Sequence, residues 1–134
     1  MTDAAWRRGF AELARQGLRF DLQAPWWHLH EAAALAQAAL CANIALKISG
    51  LGVPGQPWTA AANREIVLTA IELFGADRCM FASNFPVDSL CGTFGQIYEG
   101  FAAIVRDFSA AQQRALFHDN AVRIYDIPGL RGAH

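Results

Sequence analysis

Between Leu18 and Ala24 the chain alternates Leu18, Phe20 and Leu22 against Arg19, Asp21 and Gln23, and Pro25 follows. A two-residue period is that of a strand with one apolar face. The segments around it change period repeatedly. Trp6, Phe10, Leu13 and Ala14 fall at helical spacing, which gives a helix over Asp3–Gln16 that Gly17 stops. Alanine-rich His30–Cys41 reads as a helix and Asn43–Ser49 (NIALKIS) as a strand. Gly50–Trp58 holds three glycines and two prolines and is a loop. Thr59 caps a helix running through Ile66, Ala70 and Leu73 to Gly75, and Arg78–Ser83 is the third strand. After the loop NFPVDSLCG come a helix over Thr93–Asp107 and a capping box, Ser109 to Gln112, that opens another helix.

Strands separated by helices pair in parallel, because parallel neighbours need a crossover. A full eight-stranded barrel takes roughly 250 residues. The 134 residues here supply part of one. The expected fold is therefore α/β: an incomplete (β/α) barrel of about three parallel strands with covering helices and an open sheet, one partial domain over 1–134. Apolar residues make up 54% and charged residues 17%, which suits a packed core.

A net charge of −1 with both signs scattered leaves no basic stripe, which argues against nucleic acid and anionic membranes as partners. The apolar stretch Ala32–Leu46 is broken by Gln37 and Asn43 and is short for a membrane span. MTDAAWRRGF lacks the pattern of a signal peptide. Cys41, Cys79 and Cys91 are odd in number and form no CxxC pair, so free thiols in a reducing, cytoplasmic setting are expected.

Alternation in Asn43–Ser49 puts Lys47 and Ser49 on the face opposite Ile44, Leu46 and Ile48. Barrel sites form at the carboxyl ends of strands, so Lys47 and Ser49 are candidates for a substrate carboxylate or carbonyl. The competing expectation is an ion pair between Lys47 and Asp21. Asp88 reads as a turn residue, with metal binding or capping of the loop after the last strand as the alternatives. Trp26, Trp27 and Trp58 sit in loops, either as an apolar lid or packed on helices. His118, inside the terminal helix near Asp119, reads as a helix-end residue rather than a catalyst.

Four segments, WRRGFAELARQGLRFDLQ, NIALKISGLG, FGADRCMFASNFPVDSL and LFHDNAVRIYDI, resemble in order the amidohydrolase-related, lactonase-like hydrolases of the amidohydrolase superfamily. The resemblance implies a TIM barrel that hydrolyses a lactone of a small carboxylated or sugar-derived molecule, with a divalent metal in complete members. The resemblance of Phe74–Leu90 to the last barrel strand and its loop implies that this partial domain is the C-terminal one. It also exposes departures. The family's His-x-His strand would lie upstream of Trp6, and about one α/β unit, carrying an asparagine-histidine-glycine signature, is missing before Asn43. His28-Leu29-His30 has the right letters but enters a helix, so a solvated or capping role is expected, and no metal residue or cofactor is assigned.

Asn84 occupies the position of the family aspartate, and an amide cannot accept a proton at neutral pH. The resemblance makes Asn84 the catalytic-position candidate and Lys47, Ser49, Ser83, Trp27 and His28 the candidate substrate contacts. The chain alone is expected to be inactive. The alternatives are a decarboxylase of the same superfamily and a non-catalytic remnant or interaction module that self-associates, or binds another chain, through an open sheet edge.

Overall fold

In the computed structural model three helices, those that begin after Thr59, Thr93 and Ser109, each start from a side chain that satisfies a free backbone N–H group. The structure describes residues 3–18, 26–38 and 44–130. They fall in two units, Met1–Ile44 and Ala45–His134.

In the first unit, α1 (Ala4–Arg15) ends at Gly17, whose φ of 66° is one that glycine adopts without strain. Leu18 N–H reaches back to the Leu13 carbonyl at 2.9 Å, the long bond of a Schellman cap. A 3-10 turn, Trp26–His28, then leads into α2 (Leu29–Ala38), where Ala32 and Ala33 are buried. The expected strand around Phe20 and the Asp21–Lys47 ion pair lie outside the described residues.

The second unit carries two parallel strands, β1 (Leu46–Ile48) and β2 (Cys79–Phe81), with Leu46 opposite Cys79, Lys47 opposite Met80 and Ile48 opposite Phe81. Leu46 N–H to Arg78 O and Ala82 N–H to Ile48 O extend the ladder at each end. These are the only strands among the described residues, so two of the three expected strands are seen. Both are shorter than their apolar runs, because Gly50 (φ 68°) and Asn84 (φ 56°) turn the chain out of the sheet.

The crossover is α3 (Ala60–Phe74), capped by Thr59 Oγ1, which accepts from Ala62 N–H, and closed by Gly75 at φ 86°. It buries Val67, Ala70, Ile71 and Phe74, and the Cys79 thiol donates to the Ala70 carbonyl at 3.7 Å. Next, α4 (Phe94–Ile104) opens on a reciprocal Thr93–Gln96 capping box. Its inner face brings Phe101 into a stack with Phe81, centroids 4.3 Å apart. The Trp58 ring meets Phe101 edge-on at 5.0 Å. This aromatic cluster ties β2 to α4 and to Phe117, 4.9 Å from Phe81.

The closing helical run starts at the Ser109–Gln112 box with α5 (Ala110–Arg114), widens into a π turn over Ala115–Asp119 and continues as α6 (Asn120–Tyr125). His118 therefore sits inside a continuous helical run rather than at a helix end, which corrects the sequence expectation. Its Nδ1 meets Asp119 Oδ1 at 2.8 Å, and Arg114 Nε reaches the same oxygen at 3.1 Å. The His118 hydrogen bond, with the Arg114 cation beside it, lowers the Asp119 pKa below the usual carboxylate value. At the next residue the buried Asn120 amide donates to the carbonyls of Ala76 and Cys79, each at 2.7 Å, and fastens the approach to β2. No helix among the described residues is long and apolar enough to cross a membrane.

Candidate functional site

Two parallel strands end side by side, so the residues that leave β1 and β2 converge at their carboxyl ends, where α/β folds place ligands. Ser49 and Gly50 leave β1 and Ser83 and Asn84 leave β2. A Cβ placed on Gly50 would stand 3.4 Å from Asn84 Nδ2, so the two exits are in contact.

The stretch after β2 is wound tightly by its own polar groups. Ser83 Oγ accepts from Phe85 N–H at 3.3 Å. Asn84 takes the left-handed conformation that asparagine tolerates better than most residues. Its carbonyl accepts from Asp88 N–H at 3.1 Å, while its Nδ2 donates to Asp88 Oδ1 at 2.8 Å. The sequence reading has a loop throughout this stretch; instead a 3-10 turn, Val87–Leu90, follows the cis Phe85–Pro86 peptide.

Asp88 is only 5% exposed, unlike an ordinary turn aspartate. Its cover comes from the β1 side. A Cβ on Gly52 would lie 2.9 Å from Cys91 Sγ and 3.1 Å from Asp88 Cγ, closer than side chains pack, so the loop after β1 needs glycine there to lie against Asp88. The Cys91 thiol donates to the Val53 carbonyl at 3.3 Å and Trp58 N–H to the Cys91 carbonyl at 2.7 Å, which stitch the same two loops together.

The Asn84 amide therefore has one allowed orientation. A carboxylate oxygen accepts hydrogen bonds, so the amide atom facing Asp88 is the nitrogen. The amide oxygen is left on the other side of the side chain, in a residue that is itself exposed.

Lys47 is exposed between half-buried Leu46 and buried Ile48, the alternation read from the sequence. Trp58, by contrast, is packed and not part of a lid: a Cβ on Gly100 would fall 2.1 Å from its Cζ3, so its ring lies directly on α4. Trp26 and Trp27 are exposed and meet edge-on at 5.6 Å within the first unit. In that unit His28 Nδ1 bonds Glu31 Oε1 at 3.0 Å across the first turn of α2. Two positions along a helix turn side chains about 200° apart, so His28 and His30 cannot grip one ion as a strand pair would. Among the described residues no three His, Cys, Asp or Glu side chains stand together as metal ligands, so these residues do not supply the donor set for a metal centre.

The structure thus gathers Ser49, which leaves the strand that carries Lys47, with Ser83 and Asn84, which leave β2, whereas Trp27 and His28 belong to the other unit. The residues missed by sequence reasoning are Gly52 and the buried role of Asp88. The available signal was the four-residue spacing from Asn84 to Asp88 across a proline turn, which suits a local side-chain bond.

Residues 28–127 match the family model described as Amidohydrolase. An uncharacterized protein of Sinorhizobium fredii, y4mH, is 39% identical over 153 residues, covering 91% of this chain and 52% of that protein. The chain thus spans about half the length of the curated relative it matches. Crystal structures of an amidohydrolase from Burkholderia multivorans superpose with a TM-score of 0.67 at 22% identity, covering 94% of this chain. One holds HEPES and the other zinc, and the chain spans 59% and 58% of them. That likeness concerns the fold.

Proposed function

The chain belongs to the amidohydrolase family, and from that premise we propose that its β1–β2 strand end serves the hydrolysis of a lactone of a small carboxylated or sugar-derived molecule. The observation that carries the reading is the contact between Gly50 and Asn84, which makes one polar site of two strand exits. Water adds to the ring carbonyl and the ring C–O bond breaks, giving a hydroxycarboxylate. Asn84 Oδ1 accepts a hydrogen bond and orients the water or a substrate hydroxyl; it takes no proton. Lys47 attracts a carboxylate, and the Ser49 and Ser83 hydroxyls donate to oxygen. Free Cys79 and Cys91 suit a cytoplasmic reaction.

The same reading holds that these 134 residues are insufficient for turnover. Asn84 offers no base, and the described residues offer no zinc donor set of the kind that the Burkholderia protein's bound zinc calls to mind. Two measurements bear on it. Gluconate, the ring-opened form of a sugar lactone, should bind the chain, and Lys47→Ala should weaken binding about tenfold, the scale of one charged hydrogen bond. Unchanged affinity would remove Lys47 from the site. Gluconolactone turnover above that of the Lys47→Ala protein would overturn the insufficiency.

A second reading, an interaction module, rests on exposed apolar side chains beside the same turn, Val87, Leu90 (71% exposed) and Phe94, together with a sheet that has two strands among the described residues and so has edges able to pair with a second copy. Light scattering decides it: a concentration-dependent dimer supports this reading, and a monomer at all concentrations ends it.

A further inference from the structure

We propose that Asp88 is a positioning residue: it locks the Asn84 amide so that residue 84 meets the ligand only as a hydrogen-bond acceptor, and the site thereby selects ligands that bring a hydroxyl to that point. The inference rests on the ligand site described above and deepens it.

An amide is ambiguous. Rotated by half a turn it offers NH₂ where it offered oxygen, and a site built on a free asparagine accepts donors and acceptors alike. Asp88 removes that freedom. Its Oδ1 takes the Nδ2 proton at 2.8 Å, and the turn that holds the two together is closed independently by the backbone bond from Asp88 N–H to Asn84 O. Asp88 has little room to swing away and release the amide. It is buried, and Gly52 lies so close that a β-carbon on it would stand 3.1 Å from the Asp88 carboxyl carbon. The turn has no need of the side-chain bond to close, so the bond is free to serve orientation. A flipped amide would set its oxygen against the part-buried Asp88 carboxylate with no proton between them, losing the hydrogen bond and adding repulsion.

The geometry has a chemical consequence. An aspartate at position 84 would present oxygens, carry charge and take up protons; Asn84 held by Asp88 presents an oxygen and does neither. Ligand hydroxyl groups and water are matched to it, whereas carboxylate and carbonyl oxygens are not.

The test separates orientation from mere support of the turn. In the nuclear magnetic resonance spectrum of the 134-residue chain, the two Asn84 Nδ2 protons should be well resolved, one shifted downfield and slow to exchange. Asp88→Asn should abolish that signature, since an amide at 88 can either accept from Asn84 or donate to it. Degenerate, fast-exchanging Asn84 protons in the unsubstituted chain would overturn the proposal, whatever the protein binds.

For ligand selection, α-hydroxy-γ-butyrolactone and γ-butyrolactone differ by one hydroxyl. The chain should prefer the hydroxylated ring about fivefold, the size of one net hydrogen bond. Asp88→Asn should bring that preference below about twofold with the thermal midpoint little changed. Asn84→Gly, which keeps the positive φ and removes the acceptor, should do the same and serves if Asp88→Asn does not fold. A preference retained in both variants would reduce Asp88 to a support of the turn. A locked amide together with no binding of either ring would leave the positioning intact and overturn the lactone reading instead.

Discussion

Asn84 Nδ2 donates to Asp88 Oδ1 at 2.8 Å, across the turn by which the chain leaves β2 and beside Gly50 at the end of β1. Removing the acceptor should be felt in stability. Asp88→Ala leaves the Asn84 amide without its partner and a gap against Gly52 and Cys91, at a cost of about 1–3 kcal/mol in urea unfolding. An unchanged urea midpoint would mean that the two side chains do not meet in solution.

Gly100 lies inside α4, where replacing glycine by alanine ordinarily stabilises a helix by about 1 kcal/mol. The sign should reverse here. The added methyl would fall 2.1 Å from Trp58 Cζ3, and relieving that overlap in a packed core costs on the order of 1–3 kcal/mol. A Gly100→Ala protein that melts higher than its parent would show that Trp58 is not seated on α4.

Asn120 holds two carbonyls at once, those of Ala76 and Cys79. Asn120→Ala should cost about 1–3 kcal/mol for each carbonyl left buried without a donor. Hydrogen exchange gives a sharper readout: the amide of Leu46, bonded to Arg78 O, should lose protection along with the β2 approach. Protection unchanged from the parent would contradict the clamp.

Burial pushes the Cys79 thiol up from 9.0 to about 12. Its proton is held more tightly in the folded chain, so the contribution to stability is present below pH 9.0 and is lost as pH rises towards about 12. The thermal midpoint of the parent should therefore fall more steeply over that window than that of Cys79→Ala. Parallel slopes would place the thiol in contact with water.

Helix starts were legible because they are local. Thr59, Thr93 and Ser109 each cap a helix through a residue three positions on, a spacing visible in the letters. The alternation around Lys47 was legible for the same reason. What escaped depends on residues far apart in the chain. Asp88 looked like a turn residue because nothing in NFPVDSLCG reveals that Gly52 will press on it. For Trp58 the packed alternative holds, but its place could not be read, because the flat seat at Gly100 is formed only when α4 packs. The π turn at His118 has no signature in the local letters, and two residues on Asn120 reaches back 44 residues to Ala76. The expected strands are longer than the paired ones because strand-like letters run on to Ser49 and Ser83, beyond the paired Leu46–Ile48 and Cys79–Phe81.

The direct measurement is a backbone-amide map of the 134-residue chain titrated with gluconate. Shift changes centred on Ser49, Gly50, Ser83 and Asn84 are the expected result, and Lys47→Ala should move their midpoint to higher ligand concentration. Shift changes confined to the exposed Trp26–Trp27 turn, or no saturable change at any site, would contradict a ligand site at the joined ends of β1 and β2.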